Sequence, residues 1–454
     1  MTELKGYPKY KESGIGWMGE IPEEWKKTKV SWLFSNIGSG GTPSSRNNKY
    51  YDNGNVNWIN TGDLNDGYLK NTKNKITEDA LKDLTTLKIY PENSLVIAMY
   101  GATIGKLAVT KIQATTNQAC CVMSKPVNTS IKFMYYWFLT SREDIINSSS
   151  GGGQPNISQS LIKNLNVFLP DILEQDRIVS FLDNKTSEIA SLISNKELLI
   201  KLLEEKRQAI ITETVTKGLN PNVKMKDSGI EWIGEIPEHW ELGKVKYTTY
   251  VKGRIGWQGL RSDEFMDIGP HLVTGTDFYQ GRVSWDKCHR ISEERYEEAP
   301  EIHLKENDLL ITKDGTIGKI ALVKSKPEKV TLNSGIFVTR PYNDIYDPEY
   351  FYWVLYSNVF LDFIDLMSSG STVRHLYQNI FERFSYPLPN KSEQLQIVKE
   401  LNGIITEIDN LILIIEKQIN KIKKYRESLI YEAVTGKIDL RSYKGNMTEE
   451  EILD

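Results

Sequence analysis

Positions at alternating steps of four and three between residues 171 and 217 read Ile178, Leu182, Lys185, Ile189, Leu192, Lys196, Leu199, Leu203, Lys206 and Ile210, apolar except for three lysines. That spacing is the seam of a coiled coil. It returns at a constant offset of 219, between residues 390 and 436, as Ile397, Leu401, Ile404, Ile408, Leu411, Ile415, Ile422 and Leu429. No proline interrupts either run, so nothing in the backbone chemistry breaks a helix there. The ends carry matching local chemistry: Asp171-x-x-Glu174 and Asn390-x-x-Glu393 resemble capping boxes, and Gly218 and Gly436 close the far ends. Each run predicts a helix about 65 to 70 Å long at 1.5 Å per residue, more than one small domain needs to cover its core. The expectation is an antiparallel helix pair.

The remaining chain reads as short β-type runs broken by turn residues, such as Val56-Asn-Trp-Ile59, Leu95-Val-Ile-Ala98, Lys106-Leu-Ala-Val109, Leu309-Leu-Ile-Thr312 and Gly335-Ile-Phe-Val338. Helical spacing is clearest over Ser130 to Thr140 and Pro348 to Phe363. Strand runs with a minority of helix and no regular alternation predict α+β domains.

These elements belong to two copies of one unit. Residues 11–25 and 226–240 are identical at eleven of fifteen positions, both ending in Gly-Glu-Ile-Pro-Glu-x-Trp. Thr103-Ile-Gly-Lys106 returns as Thr316-Ile-Gly-Lys319, and Tyr136-Trp137 as Tyr352-Trp353. A drift of only six residues in the offset marks a tandem duplication of domain plus helix. The expected organisation is a first globular domain (1–170), a spacer helix (171–217), a second domain (218–389), a second helix (390–436) and a tail (437–454). The second helix runs toward a connection with no third domain to enter. Its natural partner is the N-terminal segment, residues 1–25, and that closure predicts a pseudo-two-fold molecule.

Composition changes this picture little. The 454 residues are 39% hydrophobic and 26% charged, ordinary for a soluble protein. No apolar run approaches the roughly 20 residues that span a bilayer, and the start lacks a signal-peptide core, so a cytoplasmic location is expected. Three cysteines and five scattered histidines show neither a disulfide framework nor zinc spacing. The net charge of -4 argues against indiscriminate nucleic-acid binding. By segment, residues 1–170 carry 19 Lys+Arg against 14 Asp+Glu, and residues 218–389 carry 20 against 25.

Reactive constellations fail on inspection. Gly101-Ala-Thr-Ile-Gly-Lys106 is one residue short of a phosphate loop, and Leu107 follows where a magnesium-binding hydroxyl should stand. Asp347-Pro-Glu-Tyr350 is explained by a helix cap followed by proline. No catalytic residue and no metal ligand is expected. What both halves share is small polar loops with amide, hydroxyl and basic groups, the equipment for reading base edges and holding phosphates. In the first half these supply Gly40, Gly41, Thr42, Ser44, Arg46, Asn60, Thr61, Asp63, Tyr100, Lys106, Gln154 and Asn156. In the second they supply Lys252, Arg254, Arg261, Thr274, Thr276, Lys313, Lys319, Arg374 and His375.

Over nearly its whole length the chain resembles the specificity subunit of type I restriction-modification systems. The resemblance rests on the order domain, helix, domain, helix. It rests also on Gly-Glu-Ile-Pro-x-x-Trp ahead of each domain, on Gly40-Gly-Thr-Pro43, Trp58-Ile-Asn-Thr-Gly-Asp63, Tyr100-Gly-Ala-Thr-Ile-Gly105 and Gln154-Pro-Asn-Ile157, and on Leu-Pro shortly before Glu-Gln at each helix start. It implies two target-recognition domains, each binding half of a split double-stranded DNA site. The helices would set the spacing and dock two methyltransferase subunits, and an ATP-dependent translocase and nuclease subunit would join them. Cofactors would lie on those partners (S-adenosylmethionine, ATP and Mg), with none on this chain and no membrane involved. The second half lacks Gly-Gly-Thr-Pro and Gln-Pro-Asn, so the two half-sites should differ. The competing readings are a protein-binding scaffold and a self-contained methyltransferase or nuclease.

Overall fold

The computed structural model describes residues 5–149, 156–254, 260–368, 375–443 and 445. The chain forms two compact units, one of residues 1–195 with 417–454, the other of residues 196–416. Each therefore joins a globular part to stretches of both long helices.

Those helices span Ile172–Lys217 and Lys391–Val434. Their starts carry the N-cap half of each expected box: Asp171 Oδ1 accepts from the Glu174 N–H at 2.9 Å and Asn390 Oδ1 from the Glu393 N–H at 3.0 Å, while the Glu174 carboxylate turns to Tyr7 and Trp25 and that of Glu393 to His239. Gly218 and Gly436, with φ of +74° and +70°, turn the chain out of them. The pairing is antiparallel within each unit, since each combines the N-terminal part of one helix with the C-terminal part of the other. In the second unit Ile211 and Val215 share one core with Ile397, Leu401, Ile405 and Ile408, and Leu203, Ile210, Ile404 and Ile412 pack against it. Arg207 donates to Asp409 across that pair at 2.7 Å.

The strict heptad seam needs correction. Ile178, Leu182, Ile189, Ile397, Leu401, Ile408, Ile415 and Leu429 are buried, and Ile422 is half-buried. Leu192, Leu199 and Leu411, by contrast, are 45%, 45% and 48% exposed, while the neighbours Ile193, Ile405 and Ile419 are buried. An α-helix has 3.6 residues per turn and drifts about 20° per heptad from a 3.5 repeat, so a seam extrapolated over forty residues leaves the buried face.

In the first unit five strands form a sheet in the order Phe34–Gly38, Cys120–Pro126, Leu95–Ala98, Leu107–Thr110, Gly67–Leu69, antiparallel except for the last pair. Leu95–Ala98 and Leu107–Thr110 are buried on both faces, which is why they read as unbroken apolar runs. A smaller sheet orders Thr115–Thr116, Val56–Ile59 and Asn74–Ile76. Lys26–Lys29 pairs with Asn166–Leu169, delivering the chain into the first long helix. The helix Ile131–Thr140 buries Phe133, Met134, Trp137 and Phe138. The second unit repeats the plan. Its large sheet begins Thr249–Gly253, Ile336–Pro341, Leu309–Thr312, Ile320–Leu322, its small sheet is His289–Arg290, Met266–Val273, Val330–Leu332, and Glu241–Lys244 pairs with Ser385–Leu388.

The closure expected from the repeat is present in the first unit. The Asp439 N–H donates to Lys5 O at 2.8 Å, Lys437 reaches Glu20 O, and Arg441 meets Glu24 at 3.3 Å. A Cβ on Gly436 would stand 2.3 Å from Pro22, so only glycine lets the helix end against the N-terminal hairpin Tyr10–Glu12/Glu20–Pro22. The buried Glu174 carboxylate accepts from the Tyr7 hydroxyl at 2.5 Å and Trp25 Nε1 at 3.0 Å, tying that hairpin to the first helix.

Candidate nucleic-acid interface

Four loops of the first unit gather where strands of its two sheets end. The Gly40 N–H donates to Thr116 Oγ1 at 2.9 Å, the Thr42 hydroxyl to Gln118 Oε1 at 2.5 Å, and Trp58 Nε1 to Gly41 O at 3.1 Å. A Cβ on Gly40 would lie 1.8 Å from Thr116 O, so the two loops meet only through glycine. The Asn60 turn is capped by Asp63, whose Oδ2 accepts from the Asn60 N–H at 2.8 Å and whose Oδ1 accepts from the Lys73 N–H at 3.2 Å. Asn117 Nδ2 then donates to Asn60 Oδ1 at 3.1 Å. The hairpin leading to Lys106 turns at Gly105, φ +77°, and its root is tied by the Ile157 N–H to Met99 O at 2.8 Å.

The second unit builds the same scaffold from different side chains. The Asn333 N–H reaches Val273 O at 3.0 Å, as the Asn117 N–H reaches Ile59 O at 3.0 Å. The Leu376 N–H reaches Lys313 O at 2.8 Å, the counterpart of Ile157 to Met99. Thr274 and Asp277 repeat the capped turn at 2.7 Å, with the Thr274 hydroxyl 2.8 Å from that of Thr276. Gly318, φ +79°, turns the hairpin ahead of Lys319. His375 Nδ1 bonds the Asp314 carboxylate, and the Lys313 ammonium lies 5.3 Å from the centre of the Phe337 ring.

The expected contact residues fall into four groups, Arg254 standing alone in the last. Thr42, Ser44, Arg46, Lys106 and Asn156 are exposed in the first unit, and Lys252, Arg261, Thr276 and Lys319 in the second. Among the described residues no ion pair engages Arg46, Lys106, Lys252 or Lys319. Half-buried Gly41, Asn60, Thr61, Asp63, Tyr100, Thr274, Lys313 and His375, with buried Gly40, shape the loops. Asp63 is a scaffold group rather than a free reader, because both oxygens are taken by backbone N–H groups. Gln154 and Arg374 lie outside the described residues.

Arg254 is a correction. It is 1% exposed, and its guanidinium donates to Leu332 O at 2.9 Å and, at 3.4 Å, to Arg295 O and Thr331 Oγ1. Burial, with the cation of Arg295 nearby, holds its pKa below the ordinary value. It braces the strand behind the Asn333 loop and is not available to a phosphate. Arginine is so seldom buried that the sequence placed it at the surface.

Asn117, Gln118 and Asn333 join these loops although the sequence reading does not single them out. The cue was present, since Thr115-Thr-Asn117 returns as Thr331-Leu-Asn333 at an offset of 216. Burial pushes the Cys120 and Cys121 thiols up to about 12.

Comparison with known proteins fits this geometry. Residues 22–202 and 268–424 match the model of the type I restriction modification DNA specificity domain. The specificity subunit of the MjaVIII type I restriction enzyme of Methanocaldococcus jannaschii is 22% identical over 441 residues, covering 95% of this chain and 98% of its own. The EcoR124I/EcoR124II specificity subunit of Escherichia coli is 29% identical over 168 residues, 35% of this chain and 41% of that one. In fold, the chain is similar to one described under "complex assembly and conformational transition of the type I R-M system", with TM-score 0.69, 15% identity, and 92% and 99% of the two chains covered. The HsdS subunit of Thermoanaerobacter tengcongensis follows with TM-score 0.53, 14% identity and coverage of 92% and 98%. No helix among the described residues is long and apolar enough to cross a membrane.

Proposed function

Because the chain belongs to the type I restriction modification DNA specificity family, we propose that it selects the DNA site for a restriction-modification complex, with one globular unit reading each half of a two-part sequence. One observation carries this reading. The same loop scaffold is built twice, with Asn117 and Asn333 in the same backbone bonds, while the exposed rim differs between copies. A shared frame with unlike rims is what two different half-sites require, since phosphate contacts position the protein and base contacts specify the sequence. With a net charge of -4, intrinsic affinity for DNA is modest, because phosphate neutralisation dominates binding strength.

Catalysis belongs to partner subunits in this proposal. Two methyltransferase subunits would use S-adenosylmethionine, and a translocase and nuclease subunit would use ATP and Mg, all in the cytoplasm. The test is methylome sequencing of cells carrying the whole system with rim variants of this chain. Arg46→Ala with Lys106→Ala should weaken or blur the first half-site alone, and Lys252→Ala with Lys319→Ala the second alone. A change in the opposite half would refute one unit per half-site. Methyl transfer by the purified chain, free of partners, would refute the division of labour.

A further inference from the structure

The rim of the first unit holds an exposed amide whose orientation is already fixed. Gln118 is exposed, and its Oε1 accepts from the exposed Thr42 hydroxyl at 2.5 Å. Its Nε2 has no partner among the described residues, so both amide hydrogens and one lone pair of Oε1 stay open. The other amides of these loops differ. Asn117 donates to Asn60 Oδ1 at 3.1 Å and accepts from the Ala119 N–H at 3.1 Å, and Asn60 Nδ2 donates to Trp58 O at 3.4 Å. Gln159 Nε2 is engaged with Ile37 O at 3.0 Å. Asn156 is exposed, and among the described residues no hydrogen bond fixes its side chain. The fold does not require the clamp on Gln118. Loop 40–46 is already held by the Gly40 N–H to Thr116 Oγ1 and by Trp58 Nε1 to Gly41 O, and a bond between two side chains open to water adds little to stability. In the second unit Asn333 repeats the backbone bond of Asn117 but is followed by half-buried Ser334, and Gly-Gly-Thr-Pro is missing. The clamped amide is therefore a feature of one rim and not of the shared frame.

We propose, resting on the function above, that Gln118 is a specificity-determining residue that reads one adenine of the first half-site, with Thr42 as its positioning residue. The edges match. In the major groove adenine presents an acceptor, N7, beside a donor, the N6 amino group. A carboxamide presents the complement, donating from Nε2 to N7 and accepting at Oε1 from N6. An amide oxygen has two lone pairs, so Oε1 serves Thr42 and the base together. Guanine offers two acceptors side by side and would set its O6 against Oε1, while thymine and cytosine offer a single polar group each. Exchanging the oxygen and nitrogen of the amide does not alter this preference, because the Thr42 hydroxyl accepts as well as it donates and one atom of each kind still faces the base. The clamp supplies preorganisation. A free glutamine loses its side-chain rotamer freedom at the moment of binding, whereas Gln118 has given up most of that freedom beforehand.

The experiment is DNA binding by the assembled complex, the full-length chain with its partner subunits, to duplexes carrying the site that methylome sequencing of the wild-type system identifies. Each adenine of the first half-site, on either strand, is replaced in turn by purine, which lacks the N6 amino group, or by 7-deazaadenine, which lacks N7. At one adenine both analogues should weaken wild-type binding, within the roughly 5- to 150-fold that one bidentate pair is worth. Gln118→Ala should bind the unmodified duplex more weakly by a factor in the same range and lose nothing more with either analogue there. Its methylome should show that one position relaxed and the rest kept. Thr42→Val should shrink the analogue effect at the same adenine and Thr42→Ser should restore it, with melting temperatures unchanged because both side chains are exposed. A Gln118→Ala complex that stays as sensitive as wild type to both analogues at every adenine would overturn the proposal, making Gln118 a phosphate contact or a bystander. A first half-site without adenine would overturn it too, and either result leaves the broader function intact. Relaxation confined to the second half-site, or a wild-type complex with no preference for its own site over a scrambled duplex, would remove the broader reading and this one with it.

Discussion

Gly40→Ala is the sharpest perturbation of the first reading surface. The added Cβ would stand 1.8 Å from Thr116 O and 2.7 Å from its carbonyl carbon, where real Cβ contacts do not fall below 3.0 Å. The loop and the 115–118 segment must part by at least about 1.2 Å. Both partners are backbone, so no rotamer change relieves the clash. The separation breaks the 2.9 Å bond from Gly40 to Thr116 Oγ1 and the 2.5 Å bond from Thr42 to Gln118. It also moves the stretch carrying Ser44 and Arg46. Overpacking of this kind costs about 1 to 3 kcal/mol of stability. Losing one well-placed base contact, at about 1 to 3 kcal/mol, costs roughly 5- to 150-fold in affinity for the first half-site. The assay is binding by the assembled complex to duplexes mutated in one half-site at a time, with methylome sequencing alongside. The variant should lose discrimination within the first half while discriminating normally in the second. Wild-type discrimination in the first half, with a normal melting temperature, would refute the argument that this contact holds the reading loop.

Two further outcomes follow from buried groups. Arg254→Lys keeps the charge but loses the fork that serves Leu332 O, Arg295 O and Thr331 Oγ1; calorimetry should show a loss of about 2 to 3 kcal/mol, with the first half-site still read. A variant as stable as wild type with a shallower salt dependence of DNA binding would instead make Arg254 a phosphate contact. Burial raises the Glu174 pKa above its ordinary 4.5, so the folded chain holds that proton more tightly than the unfolded one. Its stabilising contribution is complete below 4.5 and is lost as pH rises through the folded value. Glu174→Gln keeps an oxygen acceptor for Tyr7 and Trp25 without the charge. Its melting temperature should gain on wild type as pH is raised from 4.5 toward neutrality, and a flat or shrinking difference would contradict the assignment.

Much of this architecture is local and periodic, and so legible along the chain. The helix limits came from Asp171, Asn390, Gly218 and Gly436, since caps act within one turn of the residue that makes them. The duplication was visible because two copies of one fold must repeat the residues that close it, such as Trp25 with Trp240 and Gly105 with Gly318. The closure of residues 437–441 onto the N-terminal hairpin followed from the repeat alone. Tertiary structure decided what depends on three-dimensional environment. Leu192, Leu199 and Leu411 have the right spacing for a seam but face outward, because helical drift and the globular neighbours set the buried face. Arg254 has the composition of a phosphate contact but points inward, because three backbone and hydroxyl oxygens from distant segments converge on it. Asp63 reads as a polar loop residue, yet its carboxylate is spent on its own turn and on Lys73. Asn117 and Asn333 look like ordinary turn residues until strand pairing sets them against the Asn60 and Thr274 loops. Pattern along a chain reports which faces are apolar and where backbone turns; which polar side chain is free to meet a ligand is settled only when the hydrogen-bonding groups of separate segments are brought together.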